Sequence, residues 1–217
     1  VDVIAMKKTP TLTKLRTRQS VAQMTHPVGL KSIFQQSMHE QWKTDETLCG
    51  QGSTMVHTVK MRKHLPEIIE TYNIRSMLDI GCGDWNWMRY VPIECQYTGI
   101  ELIDELYAQA VQHTAQNRTF LNVDVFEHDL PKVDLVLCRD VLVHLPLAMC
   151  VDLIKRLKTK YLLATTFPHE NVNPEIHVGG WRKLNMLLPP FDLTAVNIYA
   201  ENEIFAGKYI GLFSLSG

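Results

Sequence analysis

The 217-residue chain is 46% hydrophobic and 21% charged, the balance of a soluble globular protein of one large domain, not a disordered, collagen-like or coiled-coil one. The net charge of −1 argues against a general affinity for nucleic acid. The longest apolar runs, such as Tyr161-Leu162-Leu163-Ala164, fall far short of the ~20 residues a membrane-spanning helix needs, so no membrane partner is expected.

Charge is uneven along the chain. Residues 1–31 carry six basic residues and one acid, a net of +5 that leaves −6 for the remainder. This start reads as a solvated basic arm, with steering of anionic partners as the alternative. It has no apolar core of the kind a signal peptide needs. Cys49, Cys82, Cys95, Cys138 and Cys150 are odd in number and contain no CxxC pair. They predict reduced thiols in a cytoplasmic protein and lack the paired spacing of a zinc site.

In chain order, Ser32–Trp42 predicts a helix. The glycines of Cys49-Gly50-Gln51-Gly52-Ser53-Thr54 predict a loop. Ser53 or Thr54 could cap a following helix that runs to Tyr72 with Val59, Leu65, Ile68 and Ile69 inward and a possible kink at Pro66. Alternation then becomes regular. Strands are expected at Arg75–Ile80, Gln96–Glu101, Thr119–Val123, Val133–Cys138 and Tyr161–Thr166. Helices are expected at Ile103–Gln116, Pro146–Lys158 and Gly179–Leu188. Leu193–Ala200 and Lys208–Leu215 form a late antiparallel pair. The fold class is α/β: a doubly wound, mostly parallel seven-stranded sheet with an antiparallel edge strand. Residues 1–53 are expected to form an N-terminal helical or irregular extension, and 54–217 the domain.

The first strand ends in Leu78-Asp79-Ile80-Gly81-Cys82-Gly83-Asp84. Glycines there let the backbone approach a ligand closely, and ligands of open α/β sheets sit beyond the carboxyl ends of the strands. Glu101, at the end of the second strand, can accept both hydroxyls of a ribose. A dinucleotide fingerprint needs a third glycine where Asn86 stands, and Asp79 and Asp84 would repel a pyrophosphate. Two carboxylates favour a cation, which suits a sulfonium cofactor with an ammonium head. The plainer alternative is a glycine turn beside an unrelated acid.

On these motifs, followed by Tyr97-Thr98-Gly99-Ile100-Glu101, Val123-Asp124-Val125, Asp134-Leu135-Val136-Leu137-Cys138 and Val141-Leu142-Val143-His144-Leu145, the chain resembles the class I S-adenosylmethionine-dependent methyltransferases over about residues 54–217. It also resembles a subgroup marked by Cys82-Gly83-Asp84-Trp85-Asn86-Trp87-Met88 and Gly179-Gly180-Trp181-Arg182-Lys183-Leu184-Asn185. The resemblance implies S-adenosylmethionine as cofactor. Asp79 and the backbone of Gly81, Cys82 and Gly83 would hold its methionine part, and Glu101 and Leu102 its ribose. Asp124 would take the adenine amino group and the Val125 amide a ring nitrogen. Asp84, Trp85 and Arg139 are further cofactor candidates, although Trp85 and Trp87 also suit a core and Asp124 a turn.

The segment after the fourth strand should face the methyl group. Asp140 and His144, four apart, would share a helical face: His144 as proton acceptor and Asp140 as its orienter, or the two as a packing histidine and a helix cap. Arg139 could bind an acidic substrate or pair with Asp140. Trp181, Arg182 and Asn185 could shape the acceptor pocket, or start a helix. His169, Glu170 and His177 lack metal-ligand spacing. The expected activity is methyl transfer to a hydroxyl of a small-molecule or sugar-like acceptor. The alternatives are a protein or RNA methyltransferase docking through the basic arm, and a non-catalytic binding protein.

Overall fold

The computed structural model describes residues 29–201 and 206–215. The basic arm before residue 29 lies outside them. A seven-stranded sheet runs in the order β3-β2-β1-β4-β5-β7-β6. Its strands are β1 (Ser76–Ile80), β2 (Gln96–Glu101), β3 (Arg118–Asn122), β4 (Lys132–Cys138), β5 (Lys158–Thr166), β6 (Thr194–Ala200) and β7 (Tyr209–Ser214). The first five pair in parallel. β7 is antiparallel to both β5 and β6, so the reversed strand lies one in from the edge. The doubly wound, mostly parallel sheet expected from the alternating pattern is therefore present.

Period-two alternation divides the core between the two faces. Met77, Leu135, Leu163 and Leu212 point to one face, where Met61, Leu65 and Ile68 of helix α2 (Val59–Thr71) cover them. Leu78, Val136 and Leu162 point to the other, against Met149, Cys150 and Leu153 of α4 (Leu147–Arg156). Helix α1 (Leu30–Ser37) continues through a wider turn at Met38–Trp42. It is tied to α3 (Asp104–Ala110) by the Lys31–Asp104 ion pair and a 2.7 Å bond from Gln35 to Glu105.

Several expectations give way. Neither Ser53 nor Thr54 caps α2; a turn over 54–58 intervenes, with Thr58 N–H bonded to the Thr54 carbonyl, and Thr58 is the cap residue. Val59 is therefore exposed, because Met61, Leu65 and Ile68 set the buried phase. The helix runs unbroken through Pro66. α3 is shorter than predicted and tightens into a turn at Val111–His113. Residues 179–188 form no helix. Asn173 and Asn185 claim that backbone: Asn173 Nδ2 donates to the Asn185 and Pro189 carbonyls, and the Asn185 N–H returns to Asn173 Oδ1.

Candidate active site

The sheet order reverses between β1 and β4, and a cleft opens over the carboxyl ends of β1, β2 and β4, where ligands of such sheets bind. It encloses about 1150 Å³ of empty space including its mouth. Asp79, Gly81, Cys82, Gly83, Asp84, Glu101, Leu102, Asp124, Val125, Arg139, Asp140 and His144 all line it.

The turn after β1 is held from β2. The Gly81 and Cys82 N–H groups donate to the Ile100 carbonyl, and Gly83 N–H donates to Glu101 Oε2 at 2.9 Å. Gly81 and Gly83 have φ of +71° and +63°, a region open to glycine at low cost. A Cβ at either would come within 2.5 Å of Val141 or of the Cys49 sulfur. Glu101 Oε1 accepts the Leu102 and Ile103 N–H groups. These three backbone donors oppose the rise that burial imposes on its pKa. Oε1 thus accepts two bonds already, and Oε2 retains a lone pair for a ligand hydroxyl.

Asp79 is 4% exposed. It ends a buried chain in which the Trp85 indole N–H donates to the Tyr97 hydroxyl (2.9 Å), which donates to Asp79 Oδ2 (2.7 Å). Burial pushes the Asp79 carboxyl up to about 7, against the Tyr97 hydrogen bond. Asp84 is spent on the loop before α2, accepting from Thr47 Oγ1 and the Leu48 N–H. Asp124 Oδ1 caps a turn at the Phe126 N–H.

At the β4 end the expected Asp140–His144 partnership is replaced. Asp140 adopts φ +58° and His144 closes a three-residue turn, so no helix aligns them. Asp140 Oδ2 accepts from Lys208 Nζ at 2.6 Å and Oδ1 accepts from Thr165 Oγ1 at 3.0 Å. Lys208 and Arg139 hold its carboxyl well below the usual range. His144 Nδ1 lies 2.8 Å from the Gly180 carbonyl. A carbonyl only accepts, so Nδ1 carries the proton and Nε2 is the basic nitrogen. Burial lowers the pKa of this imidazole, keeping it neutral.

Arg139, beneath the cleft, is engaged by Glu201, by Asp140 and by the Gly52 carbonyl, and lies 5.6 Å from the Trp87 ring centroid. It is therefore no free grip for an acidic substrate.

Other candidates lie elsewhere. Trp85 is core, packed on Tyr97 and Phe120; Trp87 lines the cleft instead. Trp181 is 58% exposed, edge-on to Phe167. Arg182 is buried, with its Nη2 near the Cys150 sulfur. Asn185 bonds the Pro168 and Glu170 carbonyls, so it builds a loop and not a pocket. The segment nevertheless serves the site. Gly179 N–H donates to the His144 carbonyl and Arg182 N–H to that of Val143, clasping the turn that carries His144. Phe34 and Trp42 also line the cleft, two residues that no sequence motif singles out. Leu30, Phe34, Met38 and Trp42 recur every four residues, a stripe that marks one helix face.

Residues 78–160 match the family model described as a methyltransferase domain. No curated protein matches the sequence. Among solved structures, the chain is similar to 1,6-didemethyltoxoflavin-N1-methyltransferase of Burkholderia thailandensis (16% identity, 96% of this chain and 94% of that one, TM-score 0.64). It is similar also to the N-methyltransferase NodS of Bradyrhizobium japonicum (16%, 82% and 96%, 0.62). A third likeness is to magnesium protoporphyrin IX methyltransferase of Synechocystis (14%, 95% and 100%, 0.54). The first two were solved with S-adenosylhomocysteine and the third with S-adenosylmethionine. At these identities the likeness shows the shared fold. Residues 78–160 thus carry the match to a methyltransferase domain, within a fold shared with methyltransferases solved with S-adenosylmethionine or S-adenosylhomocysteine.

Proposed function

We propose that the protein transfers a methyl group from S-adenosylmethionine to a hydroxyl of a small molecule, with His144 as the proton acceptor. The observation that carries this is a neutral imidazole at the β4 end of the cleft, its Nδ1 proton fixed on Gly180 and its Nε2 without a hydrogen-bond partner among the described residues.

The cleft's chemistry fits the cofactor. Carboxylates accept from what that molecule donates: Glu101 from a ribose hydroxyl, Asp124 from the adenine amino group through its remaining lone pairs, Asp79 from the ammonium. The turn at Gly81 and Gly83 carries no side chain into the cradle. When bound, the cofactor supplies a methyl carbon on a positively charged sulfur, which buried carboxylates tolerate and a pyrophosphate-binding loop would not favour.

A hydroxyl is a poor nucleophile until its proton leaves. His144 Nε2 takes that proton as the oxygen bonds to the methyl carbon; Gly180, not Asp140, orients the ring. Asp140, saturated by Lys208 and Thr165, is a fixed negative charge at the acceptor end and not a second base.

A screen of hydroxyl compounds with methyl-labelled cofactor tests the activity, and His144→Gln tests the base. Its kcat should fall by at least about 10²-fold, with S-adenosylhomocysteine still bound in calorimetry. Wild-type turnover in His144→Gln would remove the base from the reaction.

A further inference from the structure

Resting on that reading, we propose that the acceptor is an uncharged phenol, whose flat ring lies against Trp42 and Phe34 while its hydroxyl meets His144.

Three independent features converge on this class. The first is the wall. Helix α1 and the turn after it bring Phe34 and Trp42 to the cleft. Their ring centroids lie 6.1 Å apart, with Trp42 5.3 Å and Phe34 6.5 Å from the His144 ring. Aromatic faces and edges at this spacing favour another flat ring over a hydroxyl-rich sugar.

The second is charge. Asp79, Glu101, Asp124 and Asp140 bring carboxylates to the cleft. Among the described lining residues Arg139 is the one permanent cation, and Glu201, Asp140 and the Gly52 carbonyl occupy it. An acceptor bearing a carboxylate or phosphate would find no unengaged cation among those lining residues to pair with.

The third is base strength. Burial makes His144 a weaker base than ordinary imidazole. A phenol titrates near 10, whereas an aliphatic hydroxyl lies close to water at roughly 15.7. Against an ordinary imidazole at ~6.5 the gap is about 3.5 pH units for a phenol and about 9 for an aliphatic hydroxyl; burial of His144 widens both, so the phenol is the acceptor that asks less of this base. In the transfer the phenol oxygen forms the bond to the methyl carbon, the electron pair of the broken carbon–sulfur bond stays on sulfur, and the phenol proton passes to His144 Nε2.

Binding tests this without turnover. Three probes on one two-ring skeleton are titrated by calorimetry into the full chain saturated with S-adenosylhomocysteine: the flat 2-naphthol, its puckered saturated analogue decahydro-2-naphthol, and the anionic 6-hydroxy-2-naphthoate. The expected result is that 2-naphthol binds about tenfold more tightly than either of the others, and that Trp42→Ala weakens it about tenfold while Trp42→Phe restores most of the loss. No binding of 2-naphthol, equal binding of the saturated or anionic probe, or an unaffected Trp42→Ala would overturn the proposal. So would a parallel loss of S-adenosylhomocysteine in Trp42→Ala, which would place Trp42 on the cofactor. Failure of the wild-type chain to bind S-adenosylhomocysteine at the outset would instead strike the cofactor assignment, so the two failures are distinct.

Discussion

Asp79 shows what the site demands of a single residue. Burial raises its carboxyl from 3.8 to about 7, with the Tyr97 hydrogen bond opposing and the neighbouring Glu101 charge adding. The folded state thus holds a proton there that the unfolded chain has already released. Stability falls as pH rises from about 4 to about 7, and the cost is complete above that. Asp79→Asn should therefore stabilise the ligand-free protein at pH 8, by an amount of the order of 2–4 kcal/mol, and change little at pH 4. The same variant should lose most of its affinity for S-adenosylhomocysteine, whose ammonium prefers the ionised carboxylate. Urea melts at the two pH values check the first half and calorimetry the second; equal stabilisation at both would mean that Asp79 is ionised without penalty. Asp79 was legible in the sequence because its strand runs into a glycine turn, and Glu101 because it is the acid that ends the next strand; both signals are local. The partners of Asp140 and His144 were not. Their four-residue spacing suggested a helix, but the left-handed Asp140 backbone turns the two apart, and Gly180, Lys208 and Thr165 come from remote segments.

At the scale of elements, the β1 turn and the segment after β4 act as one fitted piece. Gly81 must be glycine for two reasons: its φ of +71°, and a Val141 methyl 2.5 Å from where a Cβ would stand. Val141 belongs to the segment after β4, so a side chain at 81 would separate the two strand ends that form the cleft. Gly81→Val should abolish S-adenosylhomocysteine binding and lower the urea midpoint, whereas Gly207→Val, also at positive φ but with open space around it, should cost only its local strain. Comparable losses in both would mean that conformation and not the close approach matters at 81. The strands were readable because they are short, nearly continuous apolar runs, as suits strands buried on both faces. The 179–188 segment reads as a helix because Trp181, Leu184 and Leu188 stand three and four apart, while side chains of Asn173 and Asn185 capture the backbone bonds a helix would use. The motif at Gly179 to Arg182 was legible as important, but its work is to clasp the His144 turn.

Across the whole molecule, the far edge of the sheet reaches back to the cleft. Glu201, just beyond β6, and Lys208, just before β7, are 1% and 6% exposed and close on Arg139 and Asp140 at the end of β4, across β5. The cluster holds two cations and two carboxylates, all tied to one another, so each charge is tolerated only because its partners stay. No sequence pattern announces such a link, since its two halves, Arg139-Asp140 and Glu201 with Lys208, lie more than sixty residues apart and meet only when β7 inserts beside β5. Removing one partner of a buried pair leaves an uncompensated charge, at a typical cost of about 3–5 kcal/mol, whereas replacing both by apolar residues is often close to neutral. Glu201→Gln should accordingly destabilise the chain by about that amount in urea. Adding Arg139→Met to Glu201→Leu should recover much of the loss, with Lys208 retained by Asp140. The double variant should be folded yet weak in methyl transfer, because the guanidinium that holds the Gly52 carbonyl and lies against Trp87 at the cleft wall is gone. If Glu201→Gln instead costs less than about 1 kcal/mol, the value typical of exposed pairs, water reaches the cluster and the hairpin is no structural part of the site.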